Sequence, residues 1–292
     1  MDAVLDPAWP LTRPVLWVAL AVLLALLVVR AIRRDRREYQ RFKRYRTTKR
    51  RQVMLRRWLL ESFLSFGGLT AVMLLLAGGF VAPLLAQVQA WTPVRYLREA
   101  VSASPVLTGA VLLGLVLGLV GLTAVGVAAA RQEGEVPAVG DIRALLPRNR
   151  QELVLGGLLS VNAGVVEELA FRFALPALLF GASGDAVVAV VGSVVVFGLL
   201  HLYQGVPGII GSTVVGVLFM AAFVLTGSIV VPIVLHALFD LRSLVLIPVA
   251  VYEAHRIDGR VVRVIDKQLR VPRAGPAEPA SDQNGGGSAD TR

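Results

Sequence analysis

Long apolar runs recur along this chain, and they restrict its fold more than any other feature of the sequence. The chain has 292 residues, of which 55% are hydrophobic, and its mean hydropathy is +0.68. Because apolar runs of about 20 residues match the thickness of a bilayer, the sequence predicts an all-α, polytopic helical membrane protein. About seven spans are predicted, at residues 15–29, 59–86, 106–130, 153–180, 186–203, 206–225 and 229–251.

The positive charge of the chain is concentrated in one segment. The formal net charge is +10, and residues 30–57 contain fourteen Lys and Arg against two acidic residues, Asp35 and Glu38. Since cytoplasmic loops carry an excess of Lys and Arg, this segment is predicted to be a partly helical cytoplasmic loop. We expect it to contact anionic lipid rather than nucleic acid. The predicted topology in the plasma membrane has the N-terminus outside and the C-terminus in the cytoplasm.

Four regions follow from this pattern. Residues 1–57 hold the first span and the basic loop, residues 58–139 the second and third spans, residues 140–252 a catalytic membrane region, and residues 253–292 a basic and then disordered tail. Residues 87–105 are predicted to form an external loop, and residues 141–147 a short interfacial helix. No soluble region is large enough for a separate activity, and the absence of cysteine excludes a disulfide framework and a thiol nucleophile.

Two adjacent carboxylates and an arginine interrupt the fourth predicted span. Ionisable groups inside a membrane helix cost about 2.5–3.5 kcal/mol each on insertion scales, so Glu167, Glu168 and Arg172 need an explanation. Residues four apart share a helical face, and Glu168 can therefore pair with Arg172. Glu167 points about 100° away and needs partners from other helices.

Histidine and aspartate supply candidates for those partners. Of three histidines, His201 and His236 fall within predicted spans, whereas His255 lies in the tail. His236 and Asp240 are four residues apart and face one direction. Convergence of Glu167, His201, His236 and Asp240 on one polar cavity inside the bundle explains why all four occur in apolar segments.

Two kinds of chemistry suit such a cavity, and the residues alone leave both open. A carboxylate near two imidazoles can deprotonate water and stabilise an oxyanion, which is hydrolysis by general base catalysis. The same four side chains could hold one divalent metal such as Zn²⁺. The cofactor is therefore either one such ion or none.

The order of three short motifs resembles a known family. Glu167-Glu168-x-x-x-Arg172, Phe197-x-x-x-His201 and His236-x-x-x-Asp240 follow one another on successive helices. This order is similar to the CPBP family, the CAAX-processing and bacteriocin-processing intramembrane endopeptidases, also called the Abi family. Residues 145–148, 201–205 and 226–228 resemble it too, and the whole match covers about residues 140–245.

The resemblance implies an activity and a role for each matched residue. The chain would hydrolyse a peptide bond of a membrane-embedded or lipidated protein or peptide, with water activated by Glu167. His201 and His236 would position the water, hold the oxyanion or bind a metal, and Asp240 stands where the family has Asn or Asp. Glu168, Arg172 and Phe197 would support the site. Phe173 departs from the pattern, because many members have Gly there.

Other functions fit parts of the sequence. Gly181-Ala182-Ser183-Gly184 matches the G-x-S-G of rhomboid-like serine proteases, but a small-residue turn between the fourth and fifth spans is the favoured explanation of Ser183, because a serine protease would leave Glu167 without a role. Buried Glu and His also mark transporters and proton relays, but no inverted repeat is apparent. A third alternative is a catalytically inactive member of the same family that acts as an immunity or scaffold protein. The presence of all the motif residues argues against it, because such a protein would not need them.

Overall fold

The computed structural model describes residues 9–133, 136 and 139–260. Within these residues the chain is helical and has no strand, as the apolar runs predict. The α-helices are α1 Thr12–Val29, α2 Arg36–Phe42, α3 Thr48–Ala77, α4 Val81–Gln89, α5 Thr92–Ala103, α6 Pro105–Glu133, α7 Arg150–Glu168, α8 Leu175–Ser183, α9 Ala186–Leu200, α10 Gly205–Thr226, α11 Val230–Leu241 and α12 Ile247–Tyr252. Turns of π-helix at Arg30–Asp35, Leu169–Ala174 and Arg242–Leu246 connect some of them. The predicted disordered tail falls outside the described residues.

Six helical segments of the described residues are long and apolar enough to cross a membrane, so the chain is a multi-pass membrane protein. They are Thr12–Phe42, Thr48–Gln89, Gly109–Gln132, Arg150–Ser183, Ala186–Thr226 and Val230–Tyr252. Ala186–Thr226 is interrupted by the 3₁₀ turn His201–Gln204 and comprises α9 and α10, which were predicted as separate spans.

The helices α9 and α10 form an antiparallel hairpin. Near the turn, the backbone at Gly198 approaches Thr213, and farther from it Val194 and Phe197 reach Gly216. This close approach requires glycine at position 198, because any Cβ there would lie only 2.0 Å from the Thr213 hydroxyl oxygen. The hairpin therefore passes through the bundle twice and returns to the side from which it started.

The basic segment is more helical than predicted. The first helix continues from α1 through α2 to Phe42, and α3 begins at Thr48, so that only residues 43–47 remain as a connection. Arg34 and Arg57 both pair with Glu38 and Glu61, at N···O distances of 2.5–3.4 Å. These pairs hold the basic ends of the two helices together.

Two further local predictions are wrong. The predicted external loop at residues 87–105 contains the helix α5, and the predicted interfacial helix at residues 141–147 is a single 3₁₀ turn, Arg143–Leu145. Pairing explains the second error, because the carbonyls of Ala144 and Leu146 accept hydrogen bonds from the guanidinium of Arg51. Those carbonyls bond to a side chain instead of continuing a helix.

A buried ion pair fixes the start of α7. Arg51 on α3 is 1% exposed and Glu152 on α7 is 0% exposed, and their charged groups meet at 3.0–3.2 Å. Asn149 caps the same helix by accepting a hydrogen bond from the backbone N–H of Glu152. The helix that carries the Glu pair is thus anchored at its beginning by contacts that the sequence did not indicate.

The helix α7 lies against α11 and α3 in the centre of the bundle. Gly164 permits the close crossing with α11, because a Cβ at this position would lie 3.0 Å from the Ile233 carbonyl and from Ala237. The crossing places the last turn of α7 beside His236. The position of the candidate site therefore depends on this contact.

Candidate active site

The centre of the site is Glu168, which is fully buried and binds two partners. One carboxylate oxygen accepts a hydrogen bond from Nδ1 of His236 at 2.7 Å, and the other lies 3.0 Å from Nε of Arg172. Arg172 is 1% exposed and His236 6% exposed. The pairing of Glu168 with Arg172 agrees with their spacing, whereas the bond to His236 on α11 joins two of the sequence motifs.

A π-helical turn follows Glu168 directly. The turn covers Leu169–Ala174 and precedes Pro176. Because proline has no N–H, it cannot bond to the carbonyl four residues earlier, and its ring would clash with that carbonyl. A widened turn relieves this conflict, and such turns occur frequently at functional sites. The widened turn therefore lies one turn before Pro176 and includes Arg172.

Aromatic rings enclose the Arg172 guanidinium. Its central carbon lies 4.2 Å from the ring centre of Phe197 and 5.7 Å from that of Phe219. Phe219 also stacks on the imidazole of His236, with 5.1 Å between ring centres. Sequence reasoning identified Phe197 but missed Phe219, which lies in an apolar helix with no motif to distinguish it.

His236 lies between two carboxylates. Its Nδ1 donates to Glu168, and its Nε2 is 3.7 Å from Oδ2 of Asp240, one helical turn later. Asp240 is 30% exposed. The predicted pairing of His236 with Asp240 on one face of the helix is therefore present, and both nitrogens of the ring face acidic groups.

His201 occupies the end of α9 and is half-buried. Its Nδ1 donates to the Phe197 carbonyl at 2.9 Å, which leaves Nε2 without a hydrogen bond within the described part of the chain. The Phe197 ring contacts both imidazoles, with ring centres 4.9 Å from His201 and 6.3 Å from His236. Tyr203 stacks on His201 at 6.1 Å and was not predicted from the sequence.

Glu167 differs from its neighbour. It is half-buried, and in the described residues it makes no hydrogen bond and no ion pair. It is therefore the carboxylate of the pair that is left without a direct partner.

The side chains do not form the metal site that the sequence left open. No group of three or more His, Asp and Glu side chains in the described ranges is arranged to hold a metal ion. The reason is visible at His236, since its nitrogens face the oxygens of Glu168 and Asp240. In this arrangement no three of Glu167, His201, His236 and Asp240 come together as a metal-binding group.

Ser183 lies at a helix end and not in this site. Its hydroxyl donates to the Leu179 carbonyl at 2.7 Å, as the last residue of α8. Gly184 follows with φ of 75°, a left-handed conformation that favours glycine. These contacts are those of a small-residue turn between helices, which is the simpler of the two interpretations of the G-x-S-G motif.

A comparison with protein families covers this region. The family described as type II CAAX prenyl endopeptidase, Rce1-like, matches residues 149–242. This segment contains all seven residues that the three sequence motifs single out. No curated protein and no solved structure matches the chain. The family match supports an intramembrane endopeptidase in general, and a membrane-associated prenylated protein as its class of substrate.

Proposed function

Because residues 149–242 are a domain of the Rce1-like type II CAAX prenyl endopeptidase family, we propose that Glu167 is the general base of a peptide-bond hydrolysis in the membrane. The observation that carries this proposal is the difference between the two glutamates. One oxygen of Glu168 accepts a hydrogen bond from His236 and the other is ion-paired with Arg172, whereas Glu167 has no such partner in the described part of the chain. A base must be free to approach water, and Glu167 meets that condition.

The proposed hydrolysis consumes one water molecule and needs one group, Glu167, to carry the proton. Glu167 accepts a proton from water as the water oxygen bonds to the carbonyl carbon of the scissile peptide, which leaves a tetrahedral oxyanion. When the oxyanion collapses, the carbon–nitrogen bond breaks and the proton held by Glu167 passes to the departing amine. The products are one chain with a new carboxylate and one with a new amino group. This use of one carboxylate as base and then acid is ordinary proton-transfer catalysis.

The two histidines would have different roles, His201 at the attacking water and His236 at the oxyanion. With Nδ1 donating to the Phe197 carbonyl, a neutral His201 presents Nε2 as an acceptor, and it can hold one hydrogen of the attacking water. His236, when protonated, can donate from Nε2 to the oxyanion while Glu168 holds its other nitrogen. In this proposal Asp240 orients His236, and Glu168 and Arg172 brace it.

A cleavage assay with matched variants tests the base. The purified protein, reconstituted in lipid vesicles, is incubated with a prenylated peptide that fluoresces on cleavage. General acid–base catalysis contributes about 10²- to 10⁴-fold, so Glu167→Gln should lower kcat by that factor, and Ser183→Ala should leave it unchanged. Full activity in Glu167→Gln would exclude the proposed role of Glu167. Loss of activity on chelation, restored by added Zn²⁺, would instead indicate a metal.

A further inference from the structure

Two aromatic rings contact His201 in addition to its hydrogen bond. The bond from Nδ1 to the Phe197 carbonyl is a single contact, and the last torsion of a ring side chain is broad, so one bond does not fix the plane of the imidazole. The Phe197 ring centre lies 4.9 Å from that of the imidazole, and the Tyr203 ring lies 6.1 Å away and within 29° of parallel. Together the two rings limit the rotation of His201 and keep its Nε2 aimed in one direction.

Tyr203 is itself held by a residue of the first helix. The ring of Tyr39 on α2 meets the Tyr203 ring edge-on, with 5.3 Å between ring centres, and Tyr39 is 2% exposed. Such edge-to-face pairs are favourable because the positive edge of one ring meets the negative face of the other. The Tyr203 hydroxyl oxygen also accepts a hydrogen bond from the side-chain amide of Gln204 at 2.9 Å. The orientation of Tyr203 therefore depends on the position of α2.

Asp141, in the segment before α7, completes the connection. Its backbone N–H donates to the Gln204 carbonyl at 2.9 Å, and its own carbonyl accepts a hydrogen bond from the Tyr39 hydroxyl. Its carboxylate forms an ion pair with Lys43, just after the end of α2. Asp141 thus joins α2 to the 3₁₀ turn that carries His201.

The family match assigns no role to this network. Tyr39, Lys43 and Asp141 lie outside residues 149–242, which the endopeptidase family matches. Packing alone is the ordinary explanation of a group of aromatic rings. Here both tyrosine hydroxyls are hydrogen-bonded, and the group of rings ends at His201, which the proposed mechanism uses. The network therefore suits the positioning of a catalytic group better than simple filling of space.

We propose that Tyr203 is a positioning residue for His201, and that Tyr39 acts on the site through Tyr203. This inference rests on the proposed function, in which Nε2 of His201 holds one hydrogen of the attacking water. The direction of that nitrogen matters, because a misplacement of about 1 Å can cost roughly 10²-fold in rate. The first helix would then contribute to catalysis without touching the substrate.

Substitutions at Tyr203 test the positioning role in the vesicle assay with the prenylated peptide. Tyr203→Met fills similar space without a ring, because methionine is flexible and adapts to irregular gaps, whereas Tyr203→Phe keeps the ring. An interaction made only in the transition state lowers kcat and kcat/KM equally, so Tyr203→Met should lower kcat about tenfold and leave KM within about twofold. Tyr203→Phe should keep most of the wild-type kcat.

Tyr45→Met is the matched control, because Tyr45 is also half-buried but packs on Phe42. It should keep the wild-type kcat. An unchanged kcat in Tyr203→Met would overturn the proposal, and so would an equal loss in Tyr203→Phe, since the hydroxyl and not the ring would then be responsible. If a Met variant does not fold, the Leu variant at the same position replaces it with the same expectation.

A double variant tests the link from Tyr39. Residues that act through one another are not additive. Tyr39→Met should therefore lower kcat, but Tyr39→Met combined with Tyr203→Met should lower it no further than Tyr203→Met alone. Losses that multiply in the double variant would exclude the action of Tyr39 through Tyr203.

Nitrogen NMR of isotope-labelled histidine gives a readout that does not require cleavage. The chain has three histidines, so single substitutions assign each signal in the full chain. His201 should be one tautomer in the wild type, protonated on Nδ1, and a mixture in Tyr203→Met but not in Tyr45→Met. Mixed tautomers in the wild type, or an unchanged His201 signal in Tyr203→Met, would overturn the proposal.

The two measurements separate this inference from the proposed function. Equal cleavage by the wild type and Tyr203→Met, with Glu167→Gln inactive, would leave the hydrolysis in place and exclude the positioning role. A tautomer change in Tyr203→Met, in a protein whose wild type cleaves no peptide, would support the hold of Tyr203 on His201 and exclude the proposed hydrolysis.

Discussion

At the scale of single residues, the two adjacent glutamates have different surroundings and should respond differently to the same substitution. Glu168→Gln removes the charge that Arg172 and His236 share, and breaking a buried pair costs about 3–5 kcal/mol. Glu167→Gln removes a half-buried charge without a direct partner, so its effect on stability should be small. Thermal unfolding in detergent should show a large loss for Glu168→Gln and little change for Glu167→Gln, although both lose cleavage. Equal destabilisation would contradict this division.

Only part of the site could be predicted from the residues. The pairing of Glu168 with Arg172, and of His236 with Asp240, follows from a spacing of four along a helix. The bond between Glu168 and His236 does not follow, because it depends on how α7 crosses α11. Phe219 could not be identified from the sequence, since nothing in its apolar surroundings distinguishes it from other core phenylalanines.

At the scale of elements, the crossing of α7 and α11 provides a matched pair of substitutions. A Cβ at Gly164 would lie 3.0 Å from the Ile233 carbonyl, whereas at Gly157, two turns earlier, the nearest atom is a side-chain carbon at 3.7 Å. Gly164→Ala should therefore push α11 away, lower stability by about 1–3 kcal/mol and reduce cleavage, since His236 moves with that helix.

Gly157→Ala is the control for the same change on the same helix. It adds a methyl group at ordinary contact distance and replaces glycine in a helix interior, which typically stabilises by about 0.5–1 kcal/mol. Unfolding midpoints and cleavage rates measured for both variants test the argument. If the two behave alike, the close crossing at Gly164 does not position the site.

The helices were easier to predict than their interruptions. Apolar runs indicated most membrane segments because bilayer thickness sets their length. The π turn at Leu169–Ala174 and the 3₁₀ turn at Arg143–Leu145 were not predicted, since they result from Pro176 and from the carbonyls bound by Arg51. The contact of Arg51 with Ala144 and Leu146 joins distant parts of the chain and leaves no periodic signal in the sequence.

At the scale of the whole molecule, the basic face of the first helix should bind anionic lipid. Arg33, Arg37 and Arg41 line an open groove on this helix with the apolar Leu26 and Val29 at one end. These three arginines have no ion pair within the described residues. Basic residues near a membrane surface contribute about 1 kcal/mol each, so Arg33→Gln with Arg37→Gln should weaken binding of short-chain phosphatidylglycerol by roughly 30-fold.

The matched control for lipid binding is the double variant Arg95→Gln with Arg98→Gln on α5, which removes two charges outside the groove. It should leave lipid affinity within about twofold, and the affinity of the parent protein should fall as salt increases. Equal weakening by both double variants would indicate a general charge effect and no specific surface.

The fold determines which parts of the chain share one side of the membrane. The α9–α10 hairpin returns to its starting side, so Ala186–Thr226 contributes two passes although it is one of six long segments. A direct contact gives the same topology, because Gln52 near the start of α3 donates to the Gly259 carbonyl at 2.8 Å. Gly259 therefore lies beside the basic segment, which its excess of Lys and Arg predicts to be cytoplasmic.

The cysteine-free sequence makes this topology measurable with single introduced thiols. Lys49 and His255 are exposed near the two predicted cytoplasmic ends, and Ser102 is exposed on α5, beyond the 42-residue segment Thr48–Gln89. In intact cells, an impermeant maleimide should label Ser102→Cys but should label Lys49→Cys and His255→Cys only after permeabilisation. Labelling of Lys49→Cys and His255→Cys from opposite sides would contradict the hairpin and the Gln52 contact together. Labelling of both positions from outside would agree with the fold but would show that its orientation in the membrane is the reverse of the predicted one. The contacts between helices determine which segments share a side, whereas the distribution of charge alone predicts which side that is.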